Sequence, residues 1–331
     1  EFSPLDGIRT RFGNRAEVVY ARGYVGDPTG EYNGVKSGQD LKDDRSPEEL
    51  IAEAVEVAKE ADYVIFVGGL NKSAHQDCED ADRKELGLPY GQDEVIKALA
   101  QANKNLIVVN ISGNAVSMPW IKDVPAVLQA WYLGSEAGSA IAAILAGDVN
   151  PSGKLPFTFP AALEDVGAHK LGDYPGVLRV DEKYNEGIFV GYRWADKQKT
   201  KPLFPFGHGL SYTTFKYGKA VADKKVMGAD ETLTIIVPVT NTGSREGSEV
   251  VQLYISDLKS SLPRPVKELK GFSKVRLAPG ETKEITFTVN EDALKFFDDT
   301  RHQWVSEAGK FEAVIASSAT DVKSRVPFEL K

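Results

Sequence analysis

The sequence contains almost no cysteine, and this excludes a small fold that is stabilised by internal disulfides. Cys78 is the single cysteine among 331 residues, so no disulfide can form within the chain. A lone thiol also cannot distinguish a reducing from an oxidising compartment. Long apolar runs are absent as well: none approaches the ~20 residues that a membrane-spanning helix needs, and we therefore expect no membrane span.

Basic residues are fewer than acidic residues. There are 40 Lys and Arg residues against 48 Asp and Glu, which leaves a formal net charge of −8. A nucleic-acid-binding surface needs an excess of basic side chains to neutralise phosphates, so no nucleic-acid partner is predicted. The chain opens at Glu1-Phe2-Ser3-Pro4, without methionine and without a signal-peptide pattern. We expect a processed chain or a piece of a longer one.

The composition is that of an ordinary globular protein, and two kinds of segment alternate along the chain. Hydrophobic residues make up 42% of the sequence, and the length suits about two domains. The first half alternates short apolar runs with segments of helical periodicity, which is typical of parallel βαβ units. Strands are predicted at 16–20, 63–67, 105–111 and 125–131, and helices from Ser46, at 92–103 and at 135–146.

The periodicity changes to two residues after about residue 215. Leu233, Ile235 and Val237, for example, are apolar residues at every second position. About seven short strands separated by turns predict an immunoglobulin- or fibronectin-III-like sandwich. The predicted organisation is an α/β sandwich domain at 1–160, an ordered linker at 161–215 that packs on both domains, and an all-β sandwich at 216–331.

The candidate site is the acidic loop that follows the strand at 63–67. In α/β sheets, ligands bind at the carboxyl ends of strands, and loops there carry functional residues. An alternative interpretation is a metal site, but the adjacent positions of the candidate ligands match no zinc spacing. No metal and no cofactor are predicted. The loop contains His75, Gln76, Asp77, Cys78, Glu79, Asp82 and Arg83.

Six segments along the chain, in order, resemble one enzyme family. Taken together, they resemble the C-terminal two-thirds of a glycoside hydrolase family 3 β-glucosidase, over essentially the whole chain. The resemblance implies an (α/β)₆ sandwich followed by a fibronectin-III-like domain, without the N-terminal (β/α)₈ barrel of such enzymes. The segments are 79–83, 129–138, 147–156, 186–193, 204–212 and 268–272.

The resemblance also implies roles for the loop residues. Glu79 stands where the family has its general acid/base, three residues before Asp82-Arg83, which would form an ion pair that holds the loop. The nucleophilic aspartate would belong to the barrel, and no residue here matches it. His75, Gln76 and Asp77 would contact the aglycone side of the substrate, or alternatively only cap the loop.

The expected activity is that of a retaining, exo-acting β-glycosidase. Its substrates would be terminal non-reducing β-D-glucosyl residues of β-linked gluco-oligosaccharides, or aryl and alkyl glucosides. A β-xylosidase or related exo-glycosidase is the first alternative, and a non-catalytic carbohydrate-binding or scaffolding fragment is the second. The chain alone is expected to be inactive without its barrel partner. A periplasmic or secreted location is expected, and whether the chain forms a homo-oligomer stays open.

Overall fold

The computed structural model describes residues 2–27, 31–32, 35–36, 42–79, 82–174 and 183–331. It divides into two compact units, residues 1–149 and 150–331. The domain limits that we place at residues 160 and 215 from the sequence remain predictions. Among the described residues, no helix has both the length and the apolar character needed to cross a membrane.

The first unit has the predicted α/β architecture. A parallel sheet has the order β3 (Val64–Gly69), β4 (Leu106–Ile111) and β5 (Ala126–Gln129). Val95, Ile96 and Leu99 of α3 (Gln92–Ala102) are almost completely buried, so this face of the helix packs inward. The elements are α1 Pro4–Phe12, β1 Glu31–Tyr32, β2 Val35–Lys36, α2 Pro47–Glu60, β3 Val64–Gly69, α3 Gln92–Ala102, β4 Leu106–Ile111, β5 Ala126–Gln129 and α4 Ala137–Leu145.

Two of these helices begin with the same local signal. Ser46 and Glu49 form a capping box at the start of α2, as its sequence predicts. Ser3 and Asp6 form an equivalent box at the start of α1, which we did not predict. The strand predicted at 16–20 is wrong. Those residues have no strand partner in the described part of the chain, because an isolated apolar run too short to show periodicity does not by itself create pairing.

α1 and α4 pack through glycine. A β-carbon on Gly138 would lie 2.1 Å from the carbonyl oxygen of Ser3, and one on Gly7 would lie 2.1 Å from that of Gly138. The Gly138 N–H donates to the carbonyl oxygen of Phe2 at 3.0 Å. The two backbones therefore approach to a distance that only glycine permits.

The second unit contains the predicted antiparallel sandwich. The elements are α5 Gly167–Leu171, α6 Tyr192–Gln198, β6 Phe215–Tyr217, β7 Val221–Ala222, β8 Val226–Met227, β9 Leu233–Asn241, β10 Gly247–Asp257, β11 Glu268–Leu277, β12 Thr282–Val289, β13 Phe296–Asp298, β14 Gln303–Val305, β15 Gly309–Ala316 and β16 Val322–Leu330. One sheet of the sandwich has the order β11-β10-β15-β16-β8, and the other has the order β12-β9-β6 with β7 beside β9.

β9 shows why the sequence folds this way. Its residues alternate strictly between buried and partly exposed positions. Leu233, Ile235, Val237 and Val239 are 0% exposed and belong to the core between the two sheets. Because successive strand side chains point to opposite faces, this alternation places these four apolar side chains on the core side, while Ile236 lies on the opposite, partly exposed face.

Candidate active site

The acidic loop begins where β3 ends. Gly69 adopts φ +138°, and a β-carbon there would lie 1.9 Å from the carbonyl oxygen of Ile111, so only glycine fits against β4. The buried side chain of Gln92, at the start of α3, accepts from Gly69 N at 2.7 Å and donates to Gly69 O at 2.9 Å. The start of the loop is thus held between β4 and α3.

Gln76 closes the loop on itself. Its side chain is only 8% exposed. The amide nitrogen donates to the Tyr90 hydroxyl at 2.5 Å, and the amide oxygen accepts from Asn71 N at 3.0 Å. The next residue continues the closure, because Asp77 N donates to Asn71 O at 2.9 Å. The amide of Gln76 is therefore engaged inside the loop.

Asp77 ties the loop to the ends of the neighbouring strands. Its carboxylate accepts from Gly113 N at 2.6 Å, from the Asn114 side-chain amide at 2.6 Å and from the Tyr132 hydroxyl at 2.8 Å. Burial, together with the hydrogen bond to this carboxylate, raises the pKa of Tyr132 well above its usual range. Tyr132 therefore stays protonated and remains a donor.

A layer of buried polar side chains lies at the ends of the same strands. Asn110 donates to Ser112 Oγ at 2.9 Å and to Gln129 Oε1 at 2.6 Å. Gln129 in turn donates to the carbonyl oxygen of Ser112 at 3.0 Å. Asn110 and Ser112 are 1% and 0% exposed. This network orders the segment from which Gly113 and Asn114 reach Asp77.

Glu79 lies two residues beyond Asp77 and is exposed. Asp80 and Ala81, the middle of the segment 79–83, lie outside the described residues. His75, also exposed, adopts φ +63° and donates from Nδ1 to the carbonyl oxygen of Asp82 at 2.9 Å, so the two arms of the loop are joined. The loop thus presents a carboxyl group from a base that internal hydrogen bonds hold in place.

Arg83 fastens the far side of the loop. Its guanidinium donates to the carbonyl oxygen of Ala115 at 2.6 Å and to that of Gly87 at 3.4 Å. The side chain of Asp82 is exposed. The ion pair between Asp82 and Arg83 stays a prediction, while the bond to Ala115 connects the loop to the segment after β4. Among the described residues, no group of three or more His, Cys, Asp and Glu side chains is arranged to hold a metal ion.

Sequence reasoning missed the partners of Asp77. Gly113, Asn114 and Tyr132 are far from it in the chain, and nothing in the local sequence pairs them with it. One weak signal was available: parallel strands end at the same edge of a sheet, so polar residues after β4 and β5 are expected near a loop that follows β3.

Comparison with known proteins places this architecture in a family. The model of the glycosyl hydrolase family 3 C-terminal domain matches residues 1–212, and that of the fibronectin type III-like domain matches residues 249–319. The chain belongs to glycosyl hydrolase family 3. The first match includes the whole acidic loop, and the second runs from β10 to the end of β15. Both confirm the fold class predicted from the sequence.

Two relatives in this family illustrate the extent of the similarity. Beta-glucosidase BoGH3A of Bacteroides ovatus is 50% identical over 330 residues, which are 99% of this chain and 43% of that protein. Thermostable beta-glucosidase B of Acetivibrio thermocellus is 40% identical over 316 residues, which are 95% of this chain and 39% of that protein. The chain spans less than half the length of these relatives, so the two-thirds expected from the resemblance is wrong.

Solved structures of two beta-glucosidases agree with the fold. The GH3 beta-glucosidase of Bifidobacterium adolescentis superimposes with a TM-score of 0.86 at 36% identity, over 99% of this chain and 45% of its own. The beta-glucosidase of Kluyveromyces marxianus, crystallised in complex with glucose, gives a TM-score of 0.79 at 38% identity, over 88% of this chain and 34% of its own.

Proposed function

We propose that this chain is part of a retaining, exo-acting β-glycosidase in which Glu79 is the general acid/base. The observation that carries the proposal is the exposed carboxyl of Glu79 on a loop whose base is held by Gln76 and Asp77, at the carboxyl end of a parallel sheet. Membership in family 3 supports it.

The chemistry requires a second carboxyl group. A retaining glycosidase uses a nucleophile and an acid/base about 5–5.5 Å apart. The acid protonates the departing glycosidic oxygen, and its conjugate base then activates the water that hydrolyses the glycosyl-enzyme. We infer that the nucleophile is an aspartate of a (β/α)₈ barrel outside these 331 residues. Glu79 would act where its loop meets that barrel.

The three residues before Glu79 have different roles in this proposal. Gln76 and Asp77 use their side chains inside the unit, so their contribution is to hold Glu79 in position. His75 keeps an exposed ring while its Nδ1 is engaged with the loop. It is the one of the three that can contact the aglycone side of a substrate. Asp82 and Arg83 would hold the loop in place on the other side of Glu79.

The proposed substrates carry a terminal non-reducing β-D-glucosyl residue, as in β-linked gluco-oligosaccharides or aryl and alkyl glucosides. The names of the relatives, all beta-glucosidases, support glucose over other sugars. A β-xylosidase or related exo-glycosidase is the alternative, because the barrel would read the sugar hydroxyls. We propose a periplasmic or secreted location, and assembly into a homo-oligomer stays open.

The test is the substitution Glu79→Gln in the longer protein that contains the barrel. Loss of the acid should lower kcat/KM for glucosides with poor leaving groups by about 10²–10⁴-fold, and much less for activated aryl glucosides. Azide should restore turnover of the activated substrates by attacking the glycosyl-enzyme and forming a glycosyl azide.

Glu85→Gln is the matched control, because Glu85 is an exposed carboxylate of the same loop. It should leave kcat/KM unchanged for both substrate classes. Near-normal hydrolysis of poor-leaving-group substrates by the Glu79 variant would overturn the assignment. A substitution in the barrel that abolishes activity by itself does not test Glu79. In that case the azide result with the Glu79 variant decides the assignment.

A further inference from the structure

A cavity of about 370 Å³ lies in the second unit. Its wall is built from residues between 208 and 217, from residues between 317 and 323, and from the side chains of Lys154 and Glu249. Small-molecule sites in proteins have volumes of about 300–1,000 Å³. The cavity therefore has room for a small organic ligand, and the side chains of its wall decide which kind.

His208 presents an accessible imidazole ring on this wall. One face of the ring stacks on Phe204, with the two ring centroids 5.2 Å apart. Neither ring nitrogen forms a hydrogen bond in the described part of the chain, and neither is among the enclosed atoms that lack a partner. Burial lowers the pKa of His208 and the positive charge of Lys154 lowers it further, so the ring is neutral at pH 7. A neutral imidazole offers one donor and one acceptor to a ligand.

Asp321 supplies a carboxylate on the same wall. Its Oδ2 accepts from the ammonium of Lys323 at 2.7 Å and from the hydroxyl of Ser317 at 2.5 Å. These contacts leave Oδ1 without a partner among the described residues, and the side chain is 54% exposed. The charge of Asp321 acts on His208, where it opposes the larger effect of burial on the pKa of the ring. The two groups are thus near each other without a bond between them, and a ligand can bridge them.

The second charged pair of the wall is closed. The ammonium of Lys154 lies 2.9 Å from Glu249 Oε1 and donates to the carbonyl oxygen of Gly209 at 2.8 Å. Glu249 Oε1 also accepts from Val250 N at 2.7 Å. The side chains of Lys154 and Glu249 are only 14% and 10% exposed. This pair fixes the wall beside His208, so a ligand would not have to order it on binding.

The charges of the wall are balanced, which favours a neutral ligand. Two cationic side chains, Lys154 and Lys323, stand against two carboxylates, Glu249 and Asp321, and each is paired. A charged ligand would have to displace one partner of an ion pair. A hydroxylated ligand need not, because a hydroxyl can donate to Asp321 Oδ1 and can accept from the imidazole N–H of His208.

The cavity also offers apolar surface. Phe215 and Tyr217 of β6 line it, and so does Leu210, which is 78% exposed. Ligand sites combine such surface with a few polar groups that fix orientation. A sugar ring has apolar C–H faces and neighbouring hydroxyls, and it therefore matches both parts of the wall.

We propose that this cavity binds one small neutral sugar, through hydroxyls that bridge the His208 imidazole and Asp321 Oδ1. The cavity belongs to the second unit and contains no residue of the acidic loop. The proposal therefore does not depend on the glycosidase activity proposed for that loop.

The experiment follows the imidazole signals of the isotope-labelled chain by NMR during titration with glucose. The chain has 4 histidines, and the signal of His208 is assigned by its loss in His208→Gln. This signal should shift saturably, with a Kd in the millimolar range. The signal of the exposed His302 should not move and serves as the internal control.

Asp321→Ala removes the proposed acceptor. It should weaken binding about tenfold or more, the effect of one lost hydrogen bond to a charged group. Asp230→Ala is the matched control, because Asp230 is an exposed acid of the same unit that does not line the cavity. It should bind glucose as the wild-type chain does.

The proposal fails if the His208 signal is unmoved at about 100 mM glucose, well above a millimolar Kd, because the cavity then holds only water. It also fails if His208 and His302 shift together, if the Asp321 variant binds normally, or if glucuronate, a sugar with a negative charge, binds as well as glucose. None of these readouts uses enzymatic activity, so the result is independent of whether Glu79 is catalytic.

Discussion

At the scale of single residues, Asp77 determines how the candidate acid is presented. Its carboxylate accepts hydrogen bonds from the Gly113 N–H, the Asn114 side-chain amide and the Tyr132 hydroxyl. Hydrogen bonds to a charged acceptor are stronger than those between neutral groups. Glu79 follows two residues later, so its position depends on a residue that the sequence alone leaves undecided between substrate contact and loop structure.

Replacing Asp77 by alanine should loosen this attachment. We expect the free energy of unfolding to fall by about 2 kcal/mol, because three donors lose their acceptor. The backbone amide of Gly113 should also exchange with deuterium faster, since its carboxylate partner is gone. Urea denaturation and amide exchange measure the two effects.

Glu85→Ala is the control for this experiment, because Glu85 is an exposed acid of the same loop to which no structural role is assigned. It should leave both the unfolding free energy and the exchange of Gly113 unchanged. Equal Gly113 exchange in the Asp77 variant and the wild-type chain would contradict the positioning role.

The residue scale also shows the reach of sequence reasoning. Glu79 could be singled out because a local motif contains it. The contacts of Asp77 could not, because Gly113 and Tyr132 are distant in sequence and meet it only where β3, β4 and β5 end together. Arg83 illustrates the same point, since its acceptor Ala115 follows a different strand.

At the scale of elements, local chemistry decided where helices begin. Ser46-Pro47 with Glu49 and Ser3-Pro4 with Asp6 carry the same capping signal, and both start helices. Long strands such as β9 were equally readable. The strands β7, β8, β13 and β14 could not be predicted, because a segment of two or three residues is too short to show a periodicity.

Gly138→Ala should destabilise the packing of α1 on α4. The new methyl group would lie 2.1 Å from Ser3 O and 2.7 Å from Phe2 O, and both are backbone atoms. Relief requires the hydrogen bond from Gly138 N to Phe2 O to break. We expect a loss of about 2–3 kcal/mol of unfolding free energy, measured by thermal or urea denaturation.

Gly153→Ala is the matched control, because a β-carbon there meets no atom within 4 Å. Its stability should equal that of the wild-type chain. If the Gly138 variant is as stable as this control, the two helices do not depend on the close approach of their backbones.

At the scale of the whole molecule, the chain has two units of a family whose relatives are more than twice as long. A glycosidase mechanism needs two carboxyl groups in one site, and the proposal supplies one from this chain. We therefore propose that the isolated chain behaves as the second hypothesis states, as a non-catalytic carbohydrate-binding or scaffolding fragment.

We expect the purified 331-residue chain to hydrolyse 4-nitrophenyl β-D-glucoside no faster than buffer alone. The same assay on the longer protein with the barrel should give full activity. Hydrolysis by the isolated chain above the rate in buffer would mean that a nucleophile lies within these residues.

The sequence by itself determined the longer strands, the two classes of domain and the identity of the candidate acid. These depend on neighbours in the chain: capping residues, periods of 3.6 and 2, and short motifs in order. Only the tertiary structure decided which residues hold that acid in place. Buried groups form hydrogen bonds with segments that folding brings together from distant parts of the chain, and no local sequence pattern predicts those contacts.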